Sequence, residues 1–272
     1  MTIGFLTPYR HLPDFAEYVE KEYKCVNLIT DPQHVDFIFS APNYSNCTVG
    51  DTEVLKFTPT AILSPSTGTN HITTNLVPVI DIKNDEVLEH IPSTAEHNLY
   101  LILSLIRTAS PIQQLGDLTL GILGYGRLGK MLHSKCANLF KSVEYKDINE
   151  QSPNFYTDTD ILSLNIDLTD NNIDFIDSKF LSKFNKDLFI VNTSRGEIIN
   201  EEELIIEIKN NKVLGYATDV IKEENSNTNT ALKEYSKTSN IIITPHIGGT
   251  AIGAQELAYK RTIIKSQEKY GK

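Results

Sequence analysis

The sequence comprises 272 residues, of which 40% are hydrophobic and 22% are charged, and its formal net charge at pH 7 is −10. This composition is that of an ordinary globular protein, so it excludes a disordered chain, a collagen-like fibre and a bundle of membrane helices. The acidic balance argues against nucleic acid or an anionic membrane as the partner. The length is comfortable for two domains.

The three cysteines Cys25, Cys47 and Cys136 are widely spaced and form no Cys-x-x-Cys pair. An odd number of cysteines at such spacing indicates neither a disulfide framework nor a zinc site, so we expect no metal. The first residues contain no basic stretch followed by a long apolar run, as a signal peptide would. We therefore expect a cytoplasmic protein.

The first 90 residues alternate between short apolar runs and turns. Strands are predicted over Ile3–Leu6, Phe37–Phe39, Ala61–Leu63 and Val77–Ile80, and a helix near Phe15–Lys24 separates the first two. Strands that alternate with helices are typical of a parallel sheet.

A helix is predicted from about Thr94 to Arg107. Ser93 and Glu96 have the spacing of a capping box, in which each side chain binds a backbone N–H at the start of the helix. The run Leu99–Ile106, which includes Tyr100, is interpreted as core. This helix is a candidate connector between two lobes.

From residue 118 onward, apolar runs recur at regular spacing and predict further strands. Helices are expected between them, and Asn200 is expected to cap the one at 201–210. Segment 221–240 is interpreted as a loop with at most one short helix. The predicted strands are 118–123, 143–145, 161–166, 188–192, 213–218 and 241–244, and the predicted helices are 127–140, 178–185, 201–210 and 251–270.

Three glycines, Gly124, Gly126 and Gly129, have the spacing Gly-x-Gly-x-x-Gly between a predicted strand and a predicted helix. In this context the pattern predicts a dinucleotide site, because the glycines permit a tight turn, a close approach of backbone to pyrophosphate and close helix packing. Asp147 follows the next strand, where a carboxylate accepts hydrogen bonds from a ribose and repels a 2′-phosphate. The pattern favours NAD over NADP.

Polar residues follow the later strands: Asn165, Arg195, Asp219 and His246. Ligands of open α/β sheets bind outside the carboxyl ends of the strands. An arginine matches a carboxylate with its planar fork, and a histidine transfers a proton near neutral pH. These residues indicate a site for an anionic carbonyl substrate.

Several segments together resemble the D-isomer-specific 2-hydroxyacid dehydrogenases. The similarity extends from about residue 60 to about residue 260. The segments are the glycine loop with Asp147, Val191–Gly196, Thr218–Val220, Thr244–Gly249 and, more weakly, Ser66–Ile72 and Thr94–His97.

The resemblance implies two Rossmann-like α/β lobes with parallel sheets. An NAD-binding lobe, residues 96–246, would be inserted into a smaller flavodoxin-like catalytic lobe formed by residues 1–95 and 247–272. It further implies hydride transfer between a D-2-hydroxyacid and its 2-keto acid, with a small acid as substrate and a homodimer as assembly.

The resemblance also implies roles for single residues. Arg195 would bind the substrate carboxylate, His246 would be the acid–base group, and Glu224 would be its carboxylate partner, with adjacent Glu223 as the alternative. Substrate contacts would come from Thr67, Gly68, Thr69 and Arg195. Cofactor contacts would come from Gly124, Tyr125, Gly126, Arg127, Leu128, Gly129, Asp147, Asn165, Thr193, Ser194 and Asp219.

Two alternatives stay open. A scaffold or corepressor-like protein could keep this fold and sense NAD(H) without turnover; the short first lobe and the unusual loop at 225–230 motivate it, and the intact catalytic set counts against it. Formate or phosphonate oxidation on the same fold is the other. His71, His97 and Arg10 are interpreted as structural or solvated side chains.

Overall fold

The computed structural model describes residues 1–42, 47–109, 113–222, 231–237 and 240–271. The chain divides into two compact units. Unit 1 is Met1–Ile91 with Gly249–Lys272, and unit 2 is Pro92–Gly248. Unit 2 is therefore an insertion between the two segments of unit 1.

Unit 1 contains a parallel sheet of five strands in the order β2-β1-β3-β4-β5 within the described residues. Strand β2 and helix α2 were not predicted from the sequence. The elements are β1 (Thr2–Phe5), α1 (Pro13–Glu22), β2 (Lys24–Asn27), β3 (Phe37–Phe39), α2 (Asp51–Phe57), β4 (Ala61–Leu63) and β5 (Val79–Ile80).

Unit 2 contains a parallel sheet of six strands in the order β11-β10-β9-β8-β6-β7 within the described residues. The two parallel α/β sheets confirm the predicted fold class. The elements are α3 (Ser93–Thr108), β6 (Thr119–Leu123), α4 (Arg127–Cys136), β7 (Ser142–Lys146), α5 (Phe155–Asp158), β8 (Ile161–Leu164), α6 (Ser178–Leu181), β9 (Leu188–Asn192), α7 (Glu201–Lys209), β10 (Val213–Thr218), α8 (Ala231–Tyr235) and β11 (Ile241–Ile243).

The central strands of unit 2 are buried along their whole length. Every residue of β6, β8 and β9 is buried. Helices cover both faces of such a sheet, and the strands therefore read as continuous apolar runs. One face packs against α3 through Leu101, Ile102 and Leu105. The sheet gives unit 2 a rigid base, and its loops extend from the strand ends.

The start of α3 differs from the prediction. Pro92, not Ser93, is the N-cap, and no side chain caps the helix. Ser93 Oγ donates to the carbonyl of Gly248 at 2.6 Å, and Glu96 pairs with Lys135 at 2.9 Å. The predicted capping box is wrong because both side chains bind partners far along the chain. Tyr100 is 54% exposed and is not a core residue.

Other local predictions are confirmed. The side chain of Asn200 accepts the N–H of Glu203 and caps α7. The described part of segment 221–240 contains one short helix, α8. Several predicted elements end earlier, with β8 at Leu164 and α4 at Cys136.

The C-terminal helix α9 (Ile252–Tyr270) belongs to unit 1. Tyr259 packs edge-on against Phe15 of α1, with ring centroids 5.2 Å apart. Arg261 binds both carboxylate oxygens of Asp85 at 3.0 and 2.8 Å. Among the described residues, no helix has both the length and the apolar character needed to cross a membrane.

Candidate active site

The candidate site residues of unit 2 follow the strands of a single sheet. Because all six strands are parallel, their carboxyl ends lie at one edge. In the spatial order of the strands, this edge carries His246 after β11, Asp219 after β10, Arg195 after β9, Asn165 after β8, the glycine loop after β6 and Asp147 after β7.

The glycine loop, residues 124–129, needs each of its glycines for a different reason. Gly124 has φ +94°, and a Cβ there would lie 2.4 Å from the carbonyl oxygen of Asn165. A Cβ on Gly129 would lie 2.1 Å from the carbonyl oxygen of Gly124, whereas a Cβ on Gly126 would meet nothing within 4 Å. The loop is therefore tightly packed beneath and open at Gly126, next to the N-terminus of α4, where a phosphate is favoured.

Asp147 is held at the end of β7 by two backbone groups. Its Oδ2 accepts the N–H of Tyr125 at 2.6 Å, and its Oδ1 accepts the N–H of Ile148 at 2.7 Å. The side chain is half-buried. Since an ionised carboxylate has about four acceptor positions, this one retains acceptor capacity for a ligand hydroxyl.

Three side chains of the glycine loop contact protein groups. The Tyr125 ring stacks on Tyr145 with centroids 4.0 Å apart, its hydroxyl lies 2.6 Å from His133 Nδ1, and burial raises the pKa of this phenol. Arg127 contacts the sulfur of Met131. Leu128 packs against the core between α3 and the sheet. Tyr125, Arg127 and Leu128 would therefore bind a ligand chiefly through their backbone groups.

The loop after β9, residues 192–195, is built around Asn192, which is completely buried. Its Nδ2 donates to the carbonyl of Arg195 at 3.0 Å, and its Oδ1 accepts the N–H of Ser194 at 2.9 Å. Ser194 Oγ donates to the carbonyl of Leu164 at 2.9 Å. The half-buried Arg195 donates through Nη1 to the carbonyl of Ser194, at 2.7 Å. These hydrogen bonds fix the backbone from which the Arg195 side chain extends.

The loop after β11, residues 244–248, is called the His246 loop. His246 has φ +53°, a left-handed conformation that is uncommon for a residue other than glycine. The Asp219 side chain is 3% exposed. Its Oδ1 accepts Thr244 Oγ1 at 2.6 Å and Ile247 N at 2.9 Å, and its Oδ2 accepts Gly248 N at 2.7 Å. The carboxylate assigned from the sequence to the cofactor is thus directed into the His246 loop.

Sequence reasoning missed two residues of α3 as contributors to this edge. Asn98 donates to Thr193 Oγ1 at 2.8 Å, and His97 Nε2 lies 3.0 Å from Thr244 Oγ1. The sequence contains a signal for Asn98, because this polar residue interrupts a helix face that is otherwise apolar and buried.

The predicted substrate-binding residues lie in unit 1, in the loop after β4. Thr67 is exposed, and Gly68 and Thr69 are half-buried. The N–H of Gly68 donates to Ser66 Oγ at 3.2 Å, and the carbonyl of Thr69 accepts the N–H of Ile72 at 2.8 Å. Glu223 and Glu224 lie outside the described residues.

Residues 93–248 match the family model of the D-isomer specific 2-hydroxyacid dehydrogenase, NAD binding domain. The chain belongs to this family. The match covers almost all of unit 2, including every strand of its sheet. The glycine loop fits the cofactor that gives the domain its name, because the open position at Gly126 leaves room for a pyrophosphate. NAD is the cofactor of this chain, as the glycine pattern predicted.

Relatives within the 2-hydroxyacid dehydrogenases differ in their named activities. The chain is 30% identical over 181 residues to the aromatic 2-oxoacid reductase of Clostridium sporogenes, covering 57% of this chain and 54% of that protein. It is 28% identical over 152 residues to the glycerate dehydrogenase of Methylorubrum extorquens, covering 54% and 48%. The chain thus spans about half the length of these curated relatives.

A solved structure shows the fold along the whole chain. The D-lactate dehydrogenase of Aquifex aeolicus, in complex with NAD and lactic acid, has a TM-score of 0.76 to this chain. The two are 20% identical, and the alignment covers 100% of this chain and 96% of that one.

Proposed function

We propose that this member of the family is an NAD-dependent oxidoreductase that interconverts a D-2-hydroxyacid and its 2-keto acid. The observation that carries the proposal is the single sheet edge of unit 2. There the open glycine loop, the anchored Arg195 and the strained, anchored His246 loop follow the ends of parallel strands in one continuous row.

Arg195 binds the substrate carboxylate in this proposal and polarises the keto oxygen. A guanidinium has five donors in a planar fork, of which one here binds the carbonyl of Ser194. The remaining donors suit the two oxygens of a carboxylate. Thr67, Gly68 and Thr69 are proposed as further substrate-binding residues on the resemblance of their segment to the family, although the N–H of Gly68 itself donates to Ser66 Oγ.

His246 is the acid–base group. When bound, NAD would supply the hydride acceptor for C2 of the hydroxyacid, and NADH would supply the hydride donor for the keto acid. His246 accepts the hydroxyl proton during oxidation and donates it to the carbonyl oxygen during reduction. Glu224 is its proposed carboxylate partner, with Glu223 as the alternative. Asp219 acts through the backbone of the His246 loop as a positioning residue.

Asn165 is a cofactor contact in this proposal, Thr193 and Ser194 line the nicotinamide side of the cofactor, and Asp147 binds the adenosine ribose. The negative charge at Asp147 disfavours the 2′-phosphate of NADP. NAD is therefore the preferred cofactor.

We propose a homodimer and a reducing, cytoplasmic setting. The homodimer is proposed on the family resemblance, and Tyr100 and Leu139 of unit 2, which are 54% and 41% exposed, are apolar side chains that such an interface could cover. The three cysteines are free, which suits a reducing compartment. Light scattering of the purified protein tests the dimer, and a mass of one chain would contradict it.

The decisive experiment is NADH consumption with a panel of 2-keto acids: pyruvate, glyoxylate, hydroxypyruvate, 3-phosphohydroxypyruvate and phenylpyruvate. We expect rapid NADH loss with at least one acid, and a loss of at least about a hundredfold in kcat for His246→Ala. His90→Ala, an exposed histidine of unit 1, is the control. NADH binding without turnover on the whole panel would favour the NAD-sensing alternative.

A further inference from the structure

Asn98 is a completely buried amide on an apolar helix face. It has 0% exposure, and its neighbours Ala95, Leu101 and Ile102 on α3 belong to the core against the sheet. A buried amide destabilises the fold unless its polar atoms are paired. Here Nδ2 donates to Thr193 Oγ1 at 2.8 Å, and Oδ1 accepts Ser163 Oγ at 3.0 Å.

The hydrogen bonds of Asn98 lead to two loops of the candidate site. Ser163 Oγ also accepts the side-chain N–H of Asn165, at 2.9 Å. Asn98 therefore connects the loop after β8 to Thr193 in the loop after β9. Asn165 and Thr193, two of the proposed cofactor contacts, are both oriented through this one amide.

His97, the preceding residue, contacts a different part of the edge. Its Nε2 lies 3.0 Å from Thr244 Oγ1 and 3.2 Å from Asp219 Oδ1, and its side chain is 12% exposed. One turn earlier, Ser93 Oγ donates to the carbonyl of Gly248. Since Asp219 also accepts the hydroxyl of Thr244 and the backbone N–H groups of Ile247 and Gly248, His97 is part of the network that holds the His246 loop.

We propose that Asn98 and His97 are two independent positioning residues of the site. Successive residues of a helix point about 100° apart around its axis. The side chains of His97 and Asn98 therefore reach two different parts of the sheet edge from the same turn of α3. Asn98 orients Thr193 and Asn165, which are proposed cofactor contacts. His97 contacts Asp219 and Thr244 and thereby holds the loop that carries His246, the proposed acid–base group. The inference rests on the proposed function, which assigns the cofactor contacts and the acid–base group to these two parts of the edge.

The first test is NADH binding without any keto acid. The chain contains no tryptophan, so NADH fluorescence can be followed directly. Asn98→Leu keeps the approximate shape and leaves Thr193 and Ser163 without their partner. We expect NADH to bind about tenfold more weakly, whereas His97→Phe stays within about twofold of the wild type. Ile102→Ala, buried on the same helix, is the control and is expected to lower the melting temperature only.

The second test follows the His246 imidazole by NMR. His246→Ala assigns its signal among the seven histidines. We expect His97→Phe to move the titration midpoint of His246 by at least about 0.5 pH unit, and to lower kcat more than it changes the KM for NADH. His97→Gln restores a donor to Asp219 and Thr244 and is expected to recover most of both. Asn98→Leu is expected to leave the midpoint unchanged.

The outcomes separate this inference from the proposed function. A wild-type protein that turns over no keto acid contradicts the proposed function, while NADH binding and the His246 titration still report on α3. Equal effects of Asn98→Leu and His97→Phe on NADH binding and on the His246 titration would overturn the proposal that the two residues act independently. Effects matched by Ile102→Ala would show that both residues are merely structural.

Discussion

Gly248 donates its backbone N–H to Asp219 Oδ2 at 2.7 Å, which ties the end of the His246 loop to the end of β10. The other carboxylate oxygen accepts Thr244 Oγ1 and Ile247 N at 2.6 and 2.9 Å. One buried side chain therefore anchors the loop on both sides of His246. The left-handed backbone at His246 is retained because its neighbours are fixed in this way.

Asp219→Asn is expected to loosen the His246 loop. One carboxylate oxygen becomes an NH2 group, which faces a backbone or hydroxyl donor instead of accepting from it. We expect a loss of about 2 kcal/mol in unfolding free energy and a fall of roughly a hundredfold in kcat. Denaturant unfolding and steady-state kinetics measure these two effects. Asp187→Asn is the control, because this side chain is 59% exposed; wild-type kinetics in Asp219→Asn would refute the anchoring role.

Gly124→Ala is expected to disrupt the glycine loop. The methyl group would lie 2.4 Å from the carbonyl oxygen of Asn165, at a backbone with φ +94°. The conformation alone disfavours alanine by roughly 1–2 kcal/mol, and the contact forces the loop after β8 to move. We expect NADH binding to weaken by at least about tenfold in a fluorescence titration. Gly116→Ala, where a Cβ meets nothing within 4 Å, should bind NADH normally.

Asp147→Asn is expected to relax the preference for NAD. The substitution removes the negative charge that repels a 2′-phosphate and keeps one acceptor oxygen for the backbone. We expect kcat/KM with NADPH to rise about tenfold relative to NADH. Parallel assays with both cofactors measure the ratio, and Glu150→Gln, an exposed carboxylate three residues away, is the control. An unchanged ratio would exclude Asp147 as the selecting charge.

Asp85 predicts how the stability of unit 1 responds to acid. Burial would by itself raise the pKa of Asp85, but the N–H of Val87 and the Arg261 guanidinium hold it below its ordinary value of 3.8. A lowered pKa means that the ionised carboxylate stabilises the folded state above pH 3.8 and that this contribution is lost as the pH falls through the lower, folded-state pKa.

Asp85→Asn is accordingly expected to lower the unfolding free energy by about 2 kcal/mol at pH 7 and to flatten its decline below pH 4. Urea unfolding at a series of pH values measures both effects. Glu89→Gln, an exposed carboxylate of the same segment, should leave the curve unchanged. A variant with the wild-type pH dependence would show that the ion pair with Arg261 contributes nothing to acid stability.

The central strands of unit 2 could be predicted because nearly all of their residues are buried. Leu188–Asn192 and Val213–Thr218 were predicted with the bounds that the structure has. Strands that are buried along most of their length read as apolar runs, and Leu214 is the one exposed residue of these two strands. Lys24–Asn27 was missed because it is the edge strand β2, with exposed residues at both ends and no apolar run. The roles of Arg195, Glu224 and His246 stay predictions.

The sequence by itself determined the glycine loop, the polar residues at the strand ends and the family, because these depend on short-range spacing. Only the tertiary structure decided the partners of the site residues. Ser93 binds Gly248 rather than capping its own helix, Asp219 binds the His246 loop, and Asn98 joins Ser163 to Thr193. These bonds link residues that lie 29 to 155 positions apart in the chain. Local patterns do not encode such pairs, because packing decides which buried donors and acceptors meet.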